Sequence, residues 1–103
     1  SMEVWIGLVG VGPLPGSTTL GEAKGAYVNV LALASSPEQY QTVVKTALQD
    51  LELFAFEFED VEPFQRRSNS RVLDQKLYEL AEEVQVSGHA CFDAFYSYAR
   101  LDS

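Results

Sequence analysis

Lysine and arginine are scarce in this chain: seven against fifteen Asp and Glu, a formal net charge of -8. Nucleic acid and anionic membrane surfaces are poor partners for such a balance, because their phosphates call for clustered cations. Cysteine and histidine are scarcer still, with one of each, Cys91 and His89. A lone cysteine excludes an internal disulfide and fits a reducing compartment. His89 and Cys91 stand at i and i+2. Even with Asp93 they supply three of the about four ligands that a structural zinc needs. A cysteine nucleophile would need a base and an oxyanion hole, and neither is visible around Cys91. Long apolar runs are also missing: none approaches the roughly 20 residues that cross a bilayer. The start lacks a basic stretch followed by an apolar core, so no secretory signal is read there and a cytoplasmic placement is expected.

What is present is ordinary globular composition. Of 103 residues, 47% are hydrophobic, and one Trp, five Tyr and six Phe supply the aromatics. That is enough for one core, so residues 1–103 are read as a single domain. Ser1, ahead of Met2, is read as a residue left by expression and is set aside.

Glycine is concentrated near the start, in "GLVGVGPLPGSTTLGEAKG" from Gly7 to Gly25. Gly10, Gly12 and Gly16 are spaced one residue too long for the dinucleotide fingerprint. A phosphate loop must open a helix. Here Pro13 and Pro15 follow, then a stretch with no helical period, and Lys24 lies between Ala23 and Gly25 rather than before Ser or Thr. Residues 10–25 are therefore expected to form a long Gly/Pro-rich loop that projects from the domain, and no nucleotide or other cofactor is expected.

Apolar runs at Val4–Val9 and Ala26–Leu33 read as strands. Ser36, Pro37 and Gln39 are the start signals of a helix whose buried stripe is Tyr40, Val43, Val44, Ala47, Leu48 and Leu51. The period then switches to two in "LELFAFEFED". Phe54, Phe56 and Phe58 are expected on one face, and Leu53, Ala55, Glu57 and Glu59 on the other. "VEPFQRRSNS" is read as a short edge strand or a loop. Ser70 or Asn69 then caps a second helix with a stripe of Leu73, Leu77, Leu80, Ala81 and Val84, ended by Gly88. "HACFDAFYSYA" is the last strand, with Phe92, Tyr96 and Tyr98 on one face and Cys91 and Phe95 on the other. This order predicts an α/β (α+β, two-layer) domain. The predicted fold is a ferredoxin-like split β-α-β with an additional N-terminal strand, both helices lying on one face of the sheet.

Between Asp50 and Glu62 lie six carboxylates and no basic residue. Glu57 and Glu59 share a face, as a pair for acid–base chemistry would, but no cleft is legible around them, so no catalytic residue is expected. Glu57, Glu59, Asp60 and Glu62 are instead candidate contacts for a basic partner, joined by Tyr96 and Tyr98, whose rings have an apolar body and a polar tip. "FEDVEPFQRR", "LYELAEEV" and "GHACFDAFYSY" together resemble small acidic bacterial immunity proteins. The resemblance implies an inhibitor that neutralises a basic toxin inside the producing cell. The expected function is thus a non-enzymatic acidic protein-binding module. A homodimer is also expected, formed through the sheet face that the helices leave open. The alternative is a dimeric small-molecule-binding regulatory domain, and a small enzyme using Glu57 or Glu59 ranks last.

Overall fold

The structure is a computed structural model that describes residues 1–99. Its elements run β1 (Glu3–Pro13), β2 (Gly25–Ala34), α1 (Pro37–Asp50), β3 (Leu53–Pro63), α2 (Phe64–Ser70), α3 (Gln75–Ser87) and β4 (Cys91–Tyr98). The four strands form one sheet in the order β3-β1-β2-β4, each neighbouring pair antiparallel. The α+β class is as expected, but the arrangement is not the five-stranded ferredoxin-like one. "VEPFQRRSNS" is no separate edge strand: its first residues finish β3, and the rest is α2. β2 and β3 run parallel with one strand between them, and that strand is β1.

The helices also cover both faces of the sheet, which corrects the expected placement on one. Along β2, Ala26, Val28, Val30, Ala32 and Ala34 join Tyr40, Val44 and Leu48 of α1 in one cluster. The alternate residues Leu31 and Leu33 join Phe64 of α2 and Leu77, Leu80 and Val84 of α3 in another. Successive strand residues point to opposite faces, so α1 lies on one side and the α2–α3 pair on the other. The face that carries α1 is called here the α1 face. On the opposite face, α2 and α3 cover the end around Ile6, Leu31 and Cys91. The rest of that side, toward Gly12 and Gly25, is the open face.

Local chemistry accounts for the ends of α1 and α3. The Ser36 side chain accepts from the Gln39 N–H at 3.1 Å, and Pro37 opens α1. Gln39 reaches back one residue further than a capping box requires, accepting from the Ser35 N–H at 2.6 Å. Gly88 ends α3 at φ 78, where a residue with a side chain would be strained. The cap of α3 is Asp74, not Ser70 or Asn69.

On the α1 face, Tyr40 lies across Gly7, where a methyl would come within 2.8 Å of its hydroxyl oxygen. That hydroxyl donates to the Val30 carbonyl at 2.7 Å, and burial holds it protonated far above the usual range of a phenol. Among the described residues, Arg67 is the charged side chain that is buried. Its Nε donates to Glu62 Oε2 at 2.6 Å, and its Nη2 donates to the Asp60 carbonyl at 2.6 Å. These bonds anchor α2 to β3. Arg67→Ala is expected to lower the unfolding free energy by about 3 kcal/mol in urea denaturation, because it strands the partly buried Glu62 carboxylate. Glu62→Gln should cost less, since its amide oxygen still accepts from Nε. A loss below about 0.5 kcal/mol for Arg67→Ala would reduce the pair to the value of a surface contact.

Candidate functional site: an aromatic and acidic sheet face

β1 has glycine at two alternate positions on the open face, Gly10 and Gly12, and β2 adds Gly25. Each is covered by a ring from a neighbouring strand. A methyl at Gly10 would meet Phe56 Cε1 at 2.7 Å and Tyr27 Cε1 at 3.1 Å. One at Gly12 would meet Phe54 Cε1 at 2.9 Å, and one at Gly25 the Tyr98 hydroxyl oxygen at 2.5 Å and its Cζ at 2.9 Å. Glycine in a strand often marks such close approach. Gly10 and Gly12 are therefore strand residues, not part of the projecting loop expected over residues 10–25. The rest of that segment is held down as well. Leu14 N–H donates to the Glu52 carbonyl at 3.0 Å, and the Thr19 hydroxyl donates to the Leu51 carbonyl at 2.6 Å. Glu22 and Ala23 at its end wall a groove of about 580 Å³, with Gly12, Phe54, Phe56 and Tyr98 also lining it.

β-Bulges decide which side chains meet. Gly10 pairs with Glu57 while Val11 pairs with Ala55, so Phe56 is an extra residue in β3. The bulge breaks the alternation. Phe54, Phe56, Glu57 and Glu59 share the open face, whereas Phe58 turns to the α1 face and packs edge-on against Tyr40 at 6.2 Å. The expected separation of phenylalanines from glutamates is thus overturned. A second bulge lies between Glu59 and Glu62, with Asp60 at φ 54. A third, in β4, sets two residues, Asp93 and Ala94, opposite Asn29. It puts Phe92 and Phe95 on one face, stacked at 6.1 Å, and leaves Tyr96 opposite Tyr27.

The expected contact residues therefore divide. Glu57 and Glu59 stand together on the open face, and the Tyr27 hydroxyl donates to Glu57 Oε1 at 3.0 Å. Tyr27 packs edge-on against Phe56 at 5.9 Å and lies 6.0 Å from Tyr98, joining the acidic edge of the sheet to its tyrosine edge. Tyr96 is 66% exposed beside it. Asp60 serves the fold, through its bulge conformation and its carbonyl, and Glu62 is held by Arg67. Phe54, Phe56 and Tyr27 were not among the residues expected at a site, yet the two phenylalanines are 46% and 45% exposed. Cys91 is buried, and its thiol donates to Glu83 at 3.0 Å; burial first and Glu83 second push its pKa up to about 11. Among the described residues, no three His, Cys, Asp or Glu are placed to share a metal ion, and no helix is long and apolar enough to cross a membrane.

Comparison with known protein families, curated proteins and solved structures finds no match.

Glu59 is raised above its ordinary value of 4.5, chiefly by a hydrogen bond with Glu57 and by the Glu57 charge. The folded chain thus holds this proton more tightly than the unfolded chain does. Its contribution to stability is present below the unfolded value and is lost as pH rises through the raised folded value. Carbon-detected NMR titration should give Glu59 a midpoint above 4.5. Glu57→Gln should bring that midpoint down. A midpoint indifferent to Glu57→Gln would show that the two carboxylates share no proton.

Proposed function

We propose that this chain is a non-enzymatic binding module that receives a basic protein on the open half of its sheet. The observation that carries the reading is the coincidence of exposed rings with paired carboxylates. Phe54, Phe56 and Tyr96 are large and solvent-facing, and Glu57 and Glu59 stand on the same face. Rings of this kind are what partners bury as anchors. Carboxylates at the margin, on a chain of net charge -8, speed the approach of a cationic partner. A basic toxin neutralised by an acidic inhibitor is the partner class that fits this charge. A second copy fits the face less well. A twofold axis across the strands would set Glu57 and Glu59 close to their own equivalents, a like-charge arrangement that costs energy.

The test begins with the partner captured from lysate of the source cell, followed by binding kinetics at two salt concentrations. The Glu57→Gln/Glu59→Gln variant should associate more slowly at low salt, on the order of tenfold, with a melting temperature no lower than that of the unsubstituted chain and a flatter salt dependence. The Phe54→Ala/Phe56→Ala variant should mainly dissociate faster. Wild-type rates and salt slope in both variants would refute the reading.

A further inference from the structure

The open face has a more particular feature at its acidic end. Glu57 pairs with Gly10 and Glu59 with Leu8, so the two carboxylates are successive residues on one face of β3. Tyr27 fixes the first by its hydroxyl at 3.0 Å. The Phe56 ring lies across Gly10, the residue that pairs with Glu57, and packs edge-on against the same Tyr27, 45% exposed. Two adjacent carboxylates repel unless a positive charge or a proton stands between them. We infer that Glu57, Glu59 and the ring of Phe56 form a subsite for one arginine side chain of the basic partner. The inference rests on the binding reading above and names the group that is recognised.

Charge and shape select arginine among the cations. Its guanidinium is planar and weakly hydrated, presents five donors in a fixed fork, and stacks on aromatic rings. One guanidinium can lie against Phe56 while its fork donates to Glu57 and Glu59. Glu57 keeps its Tyr27 bond, because a carboxylate offers about four acceptor sites. A lysine ammonium satisfies the charge but gains less from the ring, being a compact and strongly hydrated ion. A divalent cation lacks ligands, since among the described residues no third acidic, His or Cys side chain completes a set.

The probe is N-acetyl-arginine N-methylamide, titrated into the full chain at neutral pH and followed by NMR. Its lysine analogue and its neutral isostere from citrulline are run in parallel. Arginine should give saturable shifts centred on Tyr27, Phe56, Glu57 and Glu59. Lysine should bind several-fold more weakly, and citrulline should not saturate. Glu59→Gln, an exposed change that touches no core residue, should weaken arginine binding about tenfold, as loss of a charge-assisted contact does. Phe56→Leu should weaken it about threefold, the scale of an exposed cation–π contact. Equal binding of citrulline, or shifts centred elsewhere, would overturn the inference. So would Mg²⁺ or Ca²⁺ alone shifting these residues while arginine does not. If arginine fails but the Glu57→Gln/Glu59→Gln variant still slows the partner, the subsite is wrong and the docking face stands. If arginine binds but the partner ignores both carboxylates, the subsite stands and the binding reading falls.

Discussion

Everything on this sheet depends on β1 having glycine where its neighbours have rings. Gly7 admits Tyr40 of α1 on one face, and Gly10 and Gly12 admit Phe56 and Phe54 on the other. β1 is central, pairing with β2 on one side and β3 on the other, so a side chain at any of these positions would push outward against a ring. Glycine costs conformational entropy in a strand, and aromatic cover over it restores packing that the missing side chain gives up. On the α1 face the exchange is used for the core: Tyr40 crosses Gly7 to reach a strand carbonyl. On the open face the same exchange leaves rings partly in water.

The bulge at Phe56 turns this packing into chemistry. Without the extra residue, strict alternation would place Phe54 and Phe56 opposite Glu57 and Glu59. With it, apolar surface and carboxylates share one face, and Tyr27 ties the two together across Gly10. The α2–α3 pair limits the area. It covers the end of the face around Ile6 and Leu31, and Arg67 anchors α2 to β3. What remains is a half-sheet with an acidic edge on β3 and a tyrosine edge on β4.

Much of this was legible in the sequence, and the misses share a cause. Both long helices, the stripe of α1, the Leu77, Leu80, Ala81 and Val84 stripe of α3 and the Gly88 stop follow from periodicity and capping, which are local, whereas the start of α3 at Asp74, past Leu73, was not read. α2 was missed because a seven-residue helix with two buried residues, Phe64 and Arg67, has no period to read. The sheet order was missed because pairing is non-local: β1 inserts between β2 and β3, and nothing within β1 specifies its neighbours. The faces of Phe58 and Phe95 were wrong because a bulge shifts the alternation of every residue beyond it. Of the six expected contact residues, Glu57, Glu59, Tyr96 and Tyr98 do lie on the open face. Asp60 and Glu62 are engaged by Arg67, a basic residue that the sequence shows nearby without showing that it is buried. The aromatic half of the site had one signal available, the alternate glycines Gly10 and Gly12 inside a strand-like run, which instead read as loop.

Aromatic rings cover Gly10 and Gly12 of β1, and ring currents report that cover directly. A proton held over the face of an aromatic ring resonates well upfield of its ordinary position. One or both α-protons of Gly10 and Gly12 should be shifted upfield in the NMR spectrum of the native chain. The Gly10 shift should collapse in Phe56→Leu and the Gly12 shift in Phe54→Leu, each leaving the other in place. Ordinary glycine shifts at positions 10 and 12, unchanged by either substitution, would contradict the account.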